Sequence, residues 1–300
     1  MAKKKHPILT VLVILGVTAL LLGATIVVIL KMSAPSSSLS FNEKIAVIPI
    51  EGTISASQKI TSDLVRFKKD KKIKAIILRI NSPGGAVGPT QEIYQEVRKT
   101  IQTKKVIVSM GGVAASGGYY IAAAANKIVA NPGTITGSIG VIMGFVRFGD
   151  LLNKIGVQFE VLKSGEFKDI GSPHRKMTER ERELINAVIG DIQGQFVEGV
   201  ASGRNLAVEE VRKIADGRVL SGAQAKGLGL VDVLGNFQDA VELTKNMAGI
   251  KGNVMLVYPR KTKLELWDLF LKTAVRSGAN LLQSIRLQEA EYRWGGFVGQ

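Results

Sequence analysis

Hydrophobic positions along this chain fall into three kinds of run. The first is unbroken. Ile8 to Leu30 carries no charge over 23 residues, enough to cross a bilayer as a helix. The second kind is short and β-branched. Ile45–Ile50 (IAVIPI), Ile73–Ile80 (IKAIILRI) and Val106–Met110 (VIVSM) are nearly all apolar, the pattern of buried parallel strands. Ile128–Ala130, Val157–Leu162 and Val254–Tyr258 read as further strands. The third kind recurs at helical spacing. It predicts helices over Ser57–Lys68, over Pro89–Thr103 with Ile93, Val97 and Ile101 aligned, and over Thr178–Ser202 with Leu184, Val188, Ile192 and Phe196 on one face. Thr178 and Glu181 have capping-box spacing at the start of that long helix. Shorter helices are expected over Asp150–Ile155 and Val208–Ala215. Strand alternating with helix predicts a parallel sheet with right-handed crossovers.

One stretch organises the rest. Val106–Met110 is a strand, Gly111–Ala115 reads as a turn of small residues, and Ser116-Gly117-Gly118 leads into the buried, alanine-rich helix Tyr119–Ala125. A serine therefore stands where a strand turns into a helix, beside unpaired backbone N–H groups that can face an oxyanion. The same serine could equally be a plain N-cap.

The termini carry a different message. Lys3, Lys4 and Lys5 precede the apolar run and Lys31 follows it. This asymmetry puts the N-terminus in the cytoplasm and the bulk of the chain outside it. No small-x-small site follows the run, so it reads as an uncleaved anchor. The domains expected are a basic tail (1–7), a transmembrane anchor (8–30), a Ser/Pro linker (31–40), a catalytic domain (41–250) and a C-terminal extension (251–300). Leu264–Leu287 in that extension is amphipathic. It suits a docking helix, or a contact with another subunit, the membrane surface or the active site.

Composition narrows the chemistry. There is no cysteine, so thiol nucleophiles, thiolate metal sites and disulfides are excluded together. The two histidines, His6 and His174, are too few for a histidine metal cluster, and neither metal nor cofactor is expected. The net charge of +15 is spread along the chain and not interleaved with aromatics, which argues against nucleic acid. It suits a surface near anionic lipid.

A nucleophilic serine needs a base. His6 lies beyond the anchor. His174 stands beside Arg175 and Lys176, which disfavour its protonation, and reads as a surface loop histidine. Lysine is the other candidate. A free lysine has a pKa of about 10.4, so roughly one in a thousand is neutral near pH 7; a base must be held lower by burial or by a polar neighbour. Chemistry alone does not choose among the lysines, although Lys168 lies in a Gly/Ser-bounded loop after an expected strand. For the oxyanion, Gly117 can give one N–H, and the Pro83-Gly84-Gly85 turn after the strand Ile73–Ile80 is placed to give a second.

RINSPGG (Arg79–Gly85), VAASGGYYIA (Val113–Ala122), TGSIGVIM (Thr136–Met143), KSGEFKDIGSP (Lys163–Pro173) and DGRVLSGAQAKGLGLVDVLG (Asp216–Gly235) occur in unbroken order. This set resembles the signal peptide peptidase A family in its short, single-unit bacterial form. The resemblance covers about residues 41 to 250 plus the anchor. It implies an α/β fold of the Clp protease/crotonase-like kind, built of stacked ββα units and preceded here by one transmembrane helix. It implies a membrane-anchored serine endopeptidase with a Ser-Lys dyad that degrades remnant signal peptides in the cell (inner) membrane. Carried over, Ser116 is the nucleophile, Lys168 the general base and Ser138 the residue that orients the lysine, with Gly85 and Gly117 as the oxyanion hole. The resemblance also implies a ring-like homo-oligomer, in which Ser116 and Lys168 could come from different subunits. Three readings compete with it. One is a related membrane-bound serine peptidase acting on membrane proteins. Another is a crotonase-like acyl-CoA enzyme using only the glycine N–H groups. The third is a non-catalytic membrane scaffold.

Overall fold

The computed structural model describes residues 16–26 and 43–259. These belong to two units that part after Asn42. In the first, residues 16–26 are helical (α1). Among the described residues no helix is long and apolar enough to cross a membrane. The rest of the expected anchor (8–15 and 27–30), the tail 1–7, the linker 31–40 and the amphipathic stretch 264–287 lie outside the described residues.

The second unit is mixed α/β. Its centre is three parallel strands, β1 (Glu43–Glu51), β2 (Ile73–Ser82) and β3 (Lys105–Ala115). β2 lies in the middle, with Ile48 opposite Leu78 and Leu78 opposite Val108. Helices α2 (Gln58–Lys69) and α3 (Val87–Thr100) make the crossovers. Because these strands are covered on both faces, they need apolar residues at successive positions. Ala46, Ile48 and Ile50 enter the larger core with Leu64, Phe67, Ile93 and Val97. Ile45, Val47, Ala75 and Ile77 turn the other way, onto Val241 of α9 (Phe237–Ala248).

β3 feeds two continuations. Its first half pairs with β4 (Lys127–Ala130) through Ile107–Ser109, and its last residues pair with β5 (Ile135–Gly137) through Val113–Ala115. The expected turn at Gly111–Ala115 is therefore strand. Small residues are there because Asn81 of β2 fills the space: a Cβ on Gly111 would lie 2.9 Å from Asn81 Oδ1, which also accepts the Val113 N–H at 3.2 Å. β5 pairs antiparallel with β6 (Val219–Ser221), β4 pairs with β7 (Val233–Leu234), and β8 (Val254–Val257) adds beside β1.

Helix α4 (Gly117–Ala123) is buried along its whole length. The long helix α6 (Glu179–Arg204) lies against it through glycines. A Cβ on Gly199 would stand 2.6 Å from the Tyr120 ring, and one on Gly203 would overlap the Ala123 carbonyl oxygen. Tyr120 stacks on Tyr94 at 4.5 Å and meets Phe196 edge-on at 4.9 Å. The capping box at Thr178 and Glu181 is formed.

One sequence expectation fails between β5 and α6. Val157–Leu162 alternates like a strand but pairs with nothing among the described residues, and Leu162 is 91% exposed. The apolar face of α6 is covered only towards its C-terminal half: Phe196 is buried, whereas Leu184 and Val188 are exposed. The short helix α5 (Gly149–Lys154) lies in this same segment. Helices α7 (Val208–Ile214) and α8 (Gly222–Gly227) complete the domain.

Candidate active site

Ser116 joins β3 to α4 in a backbone conformation that side chains rarely adopt, φ 51° and ψ −122°. Such a conformation costs about 1–3 kcal/mol and persists only when its surroundings impose it. Here they do. The Ser116 N–H donates to the Gly137 carbonyl at 2.9 Å, and the Ser116 carbonyl accepts the Tyr120 N–H at 2.9 Å. Ser116 precedes α4 at the N-cap position, yet its side chain makes no capping hydrogen bond. The plain N-cap reading therefore fails, and the hydroxyl is left for other work.

The Pro83–Gly85 turn comes to the same place. Ile54 bridges to it, its N–H donating to the Gly84 carbonyl at 2.9 Å and its carbonyl accepting the Ala86 N–H at 2.8 Å. With Gly84 and Ala86 making those bonds, the N–H of Gly85 faces away from Ile54. The Gly85 nitrogen lies close to Gly117, where an added Cβ would stand 3.3 Å from it. Gly117 is the first residue of α4, so its own N–H has no partner within the helix. Gly84 holds φ 102°, and a Cβ there would lie 2.9 Å from the Ser116 Cβ. The turn can approach the serine this closely only as glycine.

Ser116, Gly85 and Gly117 line one cavity of about 120 Å³ with Thr90, Tyr120 and Phe196. Val141, Ile142 and Ile192 form its other wall. Burial is the main cause holding the Tyr120 phenol above its ordinary pKa, with neighbouring Tyr94 adding to it. Tyr120 is thus a neutral, mostly apolar wall.

Ser138 is half-buried at φ 51° and donates its N–H to the Arg218 carbonyl at 2.8 Å. It directly follows Gly137, the residue that holds the Ser116 N–H. Lys168 stands apart. It is exposed in the loop before α6 and does not line the Ser116 cavity of its own chain. His174 is no surface histidine. Its ring stacks on Phe159 at 3.7 Å and meets Phe148 edge-on, and it lies in a separate cavity with Asp169 and Arg175.

The sequence profile of Peptidase family S49 matches residues 98–251, and that of Clp protease matches residues 33–134. The chain belongs to peptidase family S49. Its relatives include a protein named as a protease in Synechocystis sp., 46% identical over 70% of this chain and 76% of that protein. One named as a protease in Methanocaldococcus jannaschii is 33% identical over 89% of this chain and 90% of its own. One named as signal peptide peptidase SppA in Enterococcus faecium is 34% identical over 74% and 68%. The resemblance read from the motifs therefore holds, and the chain is an SppA-type S49 peptidase.

Two residues packed beside Ser116 and Gly117 are not singled out by the sequence. Gly84 reads only as part of a turn, although it fixes how closely the turn meets Ser116. Thr90, whose Oγ1 would lie 2.8 Å from a Cβ on Gly117, reads as an ordinary helix residue. A doubled glycine after a buried strand is the available signal for Gly84. Thr90 carries none.

Proposed function

We propose that this chain is a membrane-anchored serine endopeptidase in which Ser116 attacks the scissile carbonyl and Lys168 is the general base. The reading is carried by one observation: Ser116 stands on a strained turn, its side chain uncapped, with the backbone nitrogens of Gly85 and Gly117 beside it in one cavity. Two such donors suit a tetrahedral oxyanion, each worth about 2.7–4 kcal/mol in the transition state. The Ser116 proton passes to the neutral Lys168 amine as Oγ bonds the carbonyl carbon. The ammonium then protonates the departing amine, and water releases the acyl group by the reverse sequence. Ser138 orients the lysine.

The small cavity, walled by Tyr120, Phe196 and Ile192, suits an apolar side chain of an extended peptide. Such chains are what remnant signal peptides offer. Residues 8–30 form the anchor, with the N-terminus cytoplasmic and the catalytic domain on the other side of the cell (inner) membrane. An anchored enzyme and a bilayer-bound peptide then meet on one surface.

A second copy completes the site. Ile192 lines the Ser116 cavity, whereas Lys168 belongs to the loop bound to Glu181, three turns and about 16 Å back along α6. The segment between carries Ile142 at 95% exposure, with Val146 and Leu162 also bare. A neighbouring copy covering this segment would bury those side chains, and its Ser116 would receive this Lys168. The result is a homo-oligomer with shared sites.

The test is hydrolysis of an apolar peptide by the full chain in detergent, compared with Ser116→Ala and Lys168→Ala across pH. The reading requires both variants to lose activity and the wild type to gain it as pH rises. Retained activity in Ser116→Ala would sink it.

A further inference from the structure

We propose that Arg175 is a positioning residue: its guanidinium locks the loop presenting Lys168 onto the first turn of α6. The inference rests on the reading of Lys168 as the base.

The loop has no regular structure of its own. It is a run of tight turns, in which Lys168 donates to the Gly165 carbonyl, Ile170 to Phe167 and Ser172 to Asp169, at 3.0–3.2 Å. Isolated turns of this kind do not fix a long, exposed side chain. The fixing comes from Asp169, the residue after Lys168. Its carboxylate accepts from Lys163 Nζ at 2.6 Å and from Arg175 Nε and Nη2 at 2.9 and 2.8 Å. On its other edge Arg175 grips Glu181, with Nη1 to Oε2 at 2.8 Å and Nη2 to Oε1, and Nη1 also donates to the Lys176 carbonyl at 3.1 Å. All five guanidinium N–H groups are thereby used, and only a planar fork can serve two carboxylates at once. Glu181 is itself anchored. It is 1% exposed, completes the capping box of α6, and accepts the Thr178 N–H at 2.8 Å. The far side of the loop is tied to α5, where the Phe148 N–H donates to the Pro173 carbonyl at 2.9 Å.

Charge makes the role readable. The groups around the loop are Lys163, Asp169, Arg175 and Glu181, with the Glu166–Arg180 pair, Lys176 and His174 at its margins. Bonds from Arg175, and then from Lys163, hold the Asp169 carboxyl well below the usual carboxylate range. Removing the Arg175 charge takes a cation from the surroundings of Lys168. The ammonium is then opposed less, so the rise of kcat/KM with pH should move to higher pH. Removing the Asp169 charge takes away an anion and should move it to lower pH.

The experiment measures peptide hydrolysis by the full chain against pH for Arg175→Met, Arg175→Lys, Asp169→Asn, Glu181→Gln and Lys168→Met. Lys213→Met, at the exposed Lys213–Glu210 pair on α7, is the control. Rates are expressed per Ser116 labelled at end point by a fluorophosphonate, which removes any effect of misfolded protein. In Arg175→Met, kcat should fall about 10- to 100-fold with KM within about threefold, and the limb should move up by ~0.5 pH unit or more. Arg175→Lys should lose kcat with the limb in place. Asp169→Asn should lose kcat with the limb moved down, and it carries the test if Arg175→Met does not fold. A wild-type kcat per labelled site, or limbs unmoved in both charge variants, overturns the proposal. An inactive Lys168→Met beside a fully active Arg175→Met would leave the lysine as base and remove only the positioning role. A fully active Lys168→Met would remove both.

Discussion

Gly84 faces the amide of Gly117 so closely that a Cβ on Gly84 would stand 2.7 Å from the Gly117 nitrogen. Gly84 also holds φ 102°. Gly84→Ala therefore meets strain and overlap together. It should lower stability by more than about 1 kcal/mol and slow acylation of Ser116 by ~10²-fold, because the displaced N–H is one of the two proposed oxyanion donors. Urea unfolding and fluorophosphonate labelling rates measure the two effects. An alanine variant with wild-type stability and labelling rate would contradict this geometry.

Gly203 tests the packing of α6 on α4. Alanine is favoured over glycine in a helix by about 1 kcal/mol, so propensity alone predicts that Gly203→Ala stabilises. The new Cβ would overlap the Ala123 carbonyl oxygen. Overpacking should win, with a net loss of about 1–3 kcal/mol in urea unfolding.

The first turn of α6 should respond to acid. Bonds from Arg175, and then from the Thr178 N–H, lower the Glu181 pKa to about 2, against about 4.3 for a free glutamate. A depressed carboxyl stabilises the fold fully above its ordinary pKa and loses that contribution as pH falls through the folded value. Glu181→Gln should be less stable than wild type at neutral pH. The gap should close between about pH 4.3 and pH 2, as read from thermal midpoints at successive pH values.

Sharing of the dyad predicts complementation. Ser116→Ala and Lys168→Ala copies, each inactive alone, should regain activity when unfolded together and refolded as a mixture. Random assembly of equal amounts would restore about a quarter of the sites. A mixture as inactive as its parts would place both residues of a working dyad in one chain.

Much of this architecture is legible in the sequence, because burial on both faces forces successive apolar residues into β1, β2 and β3. The capping box of α6 is legible because Thr178 and Glu181 need only each other. Gly111–Ala115 misleads: glycine usually marks a turn, but here it makes room for the Asn81 side chain within a strand. Val157–Leu162 misleads differently. Its pattern is that of a strand, but no strand among the described residues pairs with it, and Phe159 stacks on His174 instead. The serine at the strand–helix junction is legible in the sequence. The positive φ that presents it is not, because it is held by bonds to Gly137 and Tyr120 and not by the residue itself.

The most direct measurement is the rate at which a fluorophosphonate labels the full chain, wild type against Lys168→Met, with the labelled residue located by mass spectrometry. The account predicts a single label on Ser116 that forms faster as pH rises, and a rate at least ~10²-fold lower without the lysine. A label on another residue, or equal rates in the two proteins, would contradict it.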